Sequence, residues 1–231
     1  MILSDDKRLH ALKALSALSK FLGIHEYWRL LVKNHGLKWS SGRGDDLIIA
    51  RLTRTVNDEE IIDWIRQVKA IVPDHAAFLD LMAATGLRFE EAINSWNLII
   101  RLGENRLGEY YKSETLEHFR FKELFIRRTK KAFISFVPIG LIKRIVKAHP
   151  LTRSMIVKKI QRRGLRLRFG DIREYHASYL TKYLRPPEID FLHGRISTSV
   201  FMRNYFNPAW IKDLKERTLR AAEEILKKIA V

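Results

Sequence analysis

Tyr205 follows Arg195 by ten residues in the stretch HGRISTSVFMRNYFNP, residues 193–208. A packed tyrosine beside a solvated arginine is one reading of that stretch. The other is a phenol poised for metal-free attack on a phosphodiester. That reaction needs a nucleophile, cations around the non-bridging oxygens where charge accumulates, and an acid for the leaving 5′ oxygen. Arginine suits the second role because its planar fork binds two phosphate oxygens and stays protonated. Lysine suits the third because its proton can be transferred. Competing chemistries have little material. The chain has no cysteine, so disulfides, thiolate metal sites and cysteine nucleophiles are excluded. Its eight histidines show no metal-ligand spacing and no HExxH. Carboxylates gather at helix starts such as Asp58, Glu59 and Glu60, where the helix dipole favours them. No Walker-type phosphate loop occurs, and neither a metal nor a cofactor is expected.

Two arginines, a lysine and a tyrosine do occur in a telling order. ATGLRFEEA (84–92) closely resembles the first box of the tyrosine recombinases, the site-specific integrases and Xer-type resolvases, with Thr85, Gly86, Leu87, Arg88 and Glu91 in its pattern. KKAFISFVP resembles the second hairpin strand of that family, and the basic turn before it puts Lys130 in the place of the family's lysine. GDIREYHASYL (170–180) resembles the box that holds the second arginine, here Arg173, and Tyr205 comes 32 residues later, the family's separation for its nucleophile. The resemblance covers roughly 56–215 and is most like integrases of archaeal viruses and plasmids. It implies Tyr205 as nucleophile, Arg88, Arg173 and Arg195 as cations, and Lys130 as general acid. Glu91 would orient Arg88, with an i,i+3 ion pair as the plain alternative. Lys131 competes with Lys130 for the lysine role and, with Arg128 and Arg168, is a candidate DNA contact. Gly170 departs from the family, which has a histidine or lysine there. His176 and Arg168 lie near it in sequence, and His193 is a further supporting candidate.

The elements that must position these residues read as mainly α with a small antiparallel β-sheet, the tyrosine recombinase catalytic fold if the resemblance holds. Apolar residues recur at helical spacing through KRLHALKALSALSKFLGI and HEYWRLLVKNHG, with Gly23 and Gly36 as stops. KWSSGRGDD (38–46) reads as a linker. Residues 1–44 are therefore expected to be the tail of an N-terminal core-binding domain plus linker, and 45–231 the catalytic domain. A chain with so short a clamp would be a fragment of a longer integrase or half of a split gene, able to cleave DNA yet binding its site poorly. Asn57 and Glu60 resemble a capping box for NDEEIIDWIRQVKAI. Pro73–Asp74 restarts a helix that Gly86 breaks, and RFEEAINSWNLIIRL follows. Residues 122–137 predict a hairpin with a basic tip at Thr129–Lys130–Lys131. Helices are expected over about 139–148, 152–163, 171–184 and 197–206, then an amphipathic one after Pro208 that would reach a neighbouring subunit.

Charge points to the same partner. The 231 residues carry a net +17. Between Arg120 and Arg185, 19 Lys and Arg face only Glu123, Asp171 and Glu174, so nearly the whole excess lies in one stretch. Such a potential attracts polyanions, and nucleic acid is the most abundant. No apolar run approaches the roughly 18 residues of a membrane span, and a cytoplasmic, nucleoid-associated protein is expected. Its lack of cysteine and its wealth of charged residues suit a hot habitat. The resemblance implies double-stranded attachment-site DNA as partner and a homotetramer on two duplexes, weakly associated or monomeric without DNA. The alternatives are a recombinase-fold DNA-binding protein without activity, supported by Gly170, and a DNA-relaxing enzyme of the type IB topoisomerase kind.

Overall fold

The computed structural model describes residues 5–37, 49, 58–127, 130–195 and 204–231. The chain divides into two compact units, Met1–Val56 and Asn57–Val231. In the first, α1 (Asp5–Phe21) and α2 (His25–Asn34) form a helical pair. Gly23 at φ 71° makes the turn between them, a conformation glycine adopts at no steric cost. Ser19 at the end of α1 hydrogen-bonds the His25 Nδ1 that starts α2, at 2.9 Å.

The second unit is built around α4 (Ala76–Thr85). Phe78, Leu79, Leu81, Met82 and Ala83 are fully buried, so this helix is apolar on every side and must be enclosed. It is enclosed by α3 (Asp58–Ile71), α5 (Phe89–Arg106), α7 (Ile139–Val146), α9 (Phe169–Leu180) and α11 (Leu214–Lys228). Each large side chain it buries contributes roughly 1.5–3 kcal/mol. Two short helices, α6 (Lys122–Phe125) and α10 (Pro186–Leu192), and α8 (Arg153–Gln161) complete the set. A carboxylate enters this centre. Asp80 of α4 is 5% exposed and is paired with Lys69 of α3 and, at 2.8 Å, with Arg144 of α7.

The sheet has three antiparallel strands in the order β1 (Tyr111–Lys112), β2 (Thr115–Leu116) and β3 (Ser135–Phe136). Thr115 faces Phe136 and Leu116 faces Ser135. A buried chain of hydrogen bonds ties it to α5: the Tyr110 hydroxyl lies 2.9 Å from Ser95 and 2.6 Å from His118 Nδ1, and His118 Nε2 lies 2.9 Å from Ser135.

Two expectations are corrected here. Residues 122–137 are not a simple hairpin. Lys122–Phe125 is a turn of helix, an Ile126–Lys131 bridge closes the basic tip among the described residues, and β3 pairs with β2 instead. Apolar side chains of the first run, such as Phe125, are buried as a helical turn stacked on Tyr110, with ring centroids 5.9 Å apart. The C-terminal helix α11, expected to reach a neighbour, packs on α4 of its own chain, with Ala221, Ala222, Ile225 and Ile229 buried. Arg66 donates to the Lys228 carbonyl and Lys69 to that of Ile229 at 2.7 Å, so cations of α3 clasp carbonyls that a helix end leaves open. The helix expected over about 197–206 falls mostly outside the described residues, as does Asn57, the expected cap of α3.

Candidate active site

The site begins where α4 stops. Thr85 returns its hydroxyl to the Leu81 carbonyl at 2.6 Å, and Gly86 at φ 60° caps the helix in the left-handed conformation. Arg88 then takes extended backbone as the residue before α5. Glu91, one turn into α5 and fully buried, accepts the Arg88 backbone N–H at 3.1 Å and its guanidinium at 2.8 Å. One carboxylate therefore caps the helix and fixes the arginine that precedes it. The Arg88 guanidinium also approaches the Lys131 carbonyl at 3.4 Å.

Arg173, on α9, reaches across to this junction. Its guanidinium donates to the Gly86 carbonyl and, at 2.6 Å, to the His193 carbonyl just past α10. Burial, reinforced by the nearby charges of Arg88 and Arg195 and opposed by Glu91, brings its pKa down to about 10. A buried guanidinium with like charges beside it is a site waiting for an anion. Arg195 follows Gly194, which sits at φ 62° so close to the Lys131 carbonyl that a Cβ would fall 1.6 Å from that oxygen. Only glycine permits that approach. The Arg195 side chain is half exposed, 3.7 Å from Asp190. Arg88, Arg173 and Arg195 thus meet around the backbone of Gly86, Lys131 and His193, although they come from three separate parts of the chain.

His176 and His193 form a layer behind them. His176 Nδ1 and His193 Nε2 are 2.9 Å apart, the rings stack at 5.1 Å, and each residue is 1% exposed. Burial, and next to it the charge of Arg173, lowers the His176 pKa to about 3. Burial, the facing imidazole of His176, and Arg173, Arg195 and Arg88 push His193 down still further.

Lys130 is exposed, and its carbonyl accepts the Arg127 N–H at 2.9 Å across the basic tip. Lys131 is half-buried and brings its backbone, as well as its charge, to the junction. Arg128 lies outside the described residues. Tyr205 is 71% exposed. Its neighbour Phe206 packs on Phe191 of α10 at 5.7 Å, and Phe191 stacks on Phe133 at 6.0 Å. Three rings therefore join the tyrosine's segment, the helix leading to Arg195, and the stretch that follows Lys130 and Lys131. Arg168 is turned inward, 17% exposed, held by Asp171 at 2.7 Å and by Glu60 at 3.6 Å. It pins the start of α9 to α3. Gly170 faces open space, with nothing within 4 Å of a Cβ there. Arg127, 3.7 Å from Glu91, joins the site although no family box marked it. Its only sequence signal is membership of the basic tip.

The family model described as archaeal phage integrase matches residues 53–216. No curated protein and no solved structure gave a match.

Proposed function

Since the chain belongs to the archaeal phage integrase family, a family that implies DNA as partner, we propose that it is a tyrosine recombinase in which Tyr205 is the nucleophile. The Tyr205 oxygen attacks the scissile phosphorus, forming a 3′-phosphotyrosyl bond as the bond to the 5′ oxygen breaks. Lys130 gives its proton to that leaving oxygen. Arg88, Arg173 and Arg195 stabilise the charge that builds on the non-bridging oxygens. The freed 5′-hydroxyl of a partner strand then attacks the phosphotyrosine, restoring the phosphodiester and the phenol. Bond energy is retained through both steps, so the cycle balances without nucleotide hydrolysis. Residues 45–231 act as the catalytic domain of the recombinase fold, and four subunits work on two duplexes.

The observation that carries this reading is the meeting of three arginines from distant parts of the chain, two of them depressing the pKa of the buried third. Structural arginines are neutralised by carboxylates. Here the buried carboxylate Glu91 pairs with Arg88, Arg195 has the partly exposed Asp190 at 3.7 Å, and Arg173 is held by two carbonyls. The aromatic contacts of Phe206 add support by tethering the tyrosine's segment to the same junction.

Incubation with a pool of nicked duplexes having a randomised scissile strand, followed by denaturing gels, tests the proposal. The expected result is a covalent protein–DNA adduct from the wild type and none from Tyr205→Phe. An adduct from Tyr205→Phe would overturn the assignment. A second reading, DNA binding without cleavage, draws on the absence of a side chain at Gly170. It predicts tight binding and no adduct from either protein.

A further inference from the structure

The His176–His193 pair sits in a recess made by a missing side chain. A Cβ on Gly86 would fall 2.3 Å from His176 Nδ1 and 2.8 Å from His193 Nε2. The two rings therefore fill the space that glycine leaves. The same two backbone segments supply both acceptors of Arg173, the carbonyls of Gly86 and His193. His176 comes from α9 itself, one turn beyond Arg173. The imidazoles thus bind the helix that bears the guanidinium to the segment that accepts from it.

We propose that the His176–His193 hydrogen bond is the positioning device of Arg173, fixing the two carbonyls that aim its guanidinium at the phosphate. This rests on the cleavage reading for its consequence, though not for its geometry. The bond needs one donor and one acceptor, so the accepting imidazole is neutral, and burial, which lowers the pKa of both rings, favours the neutral form of the donor as well. A second proton would set N–H against N–H in a niche already facing Arg88, Arg173 and Arg195. Neither histidine is required to touch DNA. Without the bond, the His193 carbonyl is free to turn and Arg173 loses its second anchor. Misplacing a charge-stabilising donor at a reacting centre costs rate more than binding.

His176→Phe keeps a ring of similar shape and deletes the bond. His176→Asn restores it, because the asparagine amide mimics Nδ1 and carries no titratable proton. DNA affinity on the randomised pool at fixed salt should be unchanged in both. The adduct-forming rate at saturating DNA should fall at least about tenfold in His176→Phe and return to within about threefold of wild type in His176→Asn. In ¹⁵N-arginine-labelled protein, the guanidinium signal assigned through Arg173→Lys should be resolved in wild type and His176→Asn, and exchange-averaged in His176→Phe. If His176→Phe does not fold, His193→Leu removes the same bond from the other side. A bond-deleting variant with resolved Arg173 signals and an unchanged rate overturns the proposal. The expected Arg173 signals without an adduct from any protein would leave the positioning intact and sink the cleavage reading instead.

Discussion

At the scale of single residues, what separates a site cation from a structural one is its partner. Arg168 and Arg173 lie five residues apart in one basic stretch, and charge alone offers no means of ranking them, although the family resemblance singles out Arg173. The fold does so. Arg168 is spent on Asp171 and Glu60, whereas Arg173 is held by two carbonyls, which orient a cation without cancelling its charge. Arg168→Ala should therefore lower stability by about 1–2 kcal/mol through lost charged hydrogen bonds and leave DNA affinity within about twofold at fixed salt. Denaturant titration beside a binding isotherm checks both; a large affinity loss at unchanged stability would return Arg168 to the DNA face. The motif around Gly86 and Arg88 could be read from sequence because helix stop, extended residue and capping carboxylate are adjacent. The His176–His193 contact could not. Its partners are 17 residues apart, and no periodicity links the end of one helix to the middle of another.

At the scale of elements, helices with a clean apolar stripe were legible and the small pieces were not. The body of α11 follows from its amphipathic pattern, although the helix begins at Leu214 rather than at Pro208. The β1–β2 turn does not, because Ser113 and Glu114 take positive φ angles of 46° and 61° where glycine or asparagine would have signalled a hairpin. Helix α10 was not among the expected helices, although Pro186–Pro187 at its start fits the preference of proline for a first helical turn. How elements are fastened was equally invisible. Lys69 joins α3, α4 and the end of α11 through Asp80 and the Ile229 carbonyl. Lys69→Met leaves Asp80 with Arg144 alone and frees the carbonyl, so a loss of about 3–5 kcal/mol is expected. Chemical denaturation would measure it, and proteolysis should nick the freed C-terminal segment first. A variant as stable as wild type would show that Arg66 alone suffices to hold that helix.

At the scale of the whole molecule, the second unit buries His75, His118, His176 and His193. Burial holds the pKa of all four down, His118 and His176 to about 3. A lowered histidine pKa means that the unfolded chain binds more protons than the folded one between that value and the ordinary 6.5. Stability is then complete above pH 6.5 and drains away as pH falls toward 3. Each histidine adds up to about 1.4 kcal/mol per pH unit within that window. Melting temperature should hold nearly level from pH 8 to 7 and drop steeply from 6 to 4. A flat profile down to pH 4 would mean that these rings are open to water. No helix among the described residues is long and apolar enough to cross a membrane.

The rings of Phe133, Phe191 and Phe206 carry a mechanical corollary. Because each is wedged against the next, the loop beside the basic tip, the short helix and the stretch bearing the phenol behave as links of one train. On the proposed mechanism, advancing or retracting the Tyr205 oxygen would tug on its neighbours as well. Arming Tyr205 on that mechanism would then be a concerted slide rather than the swing of a lone side chain.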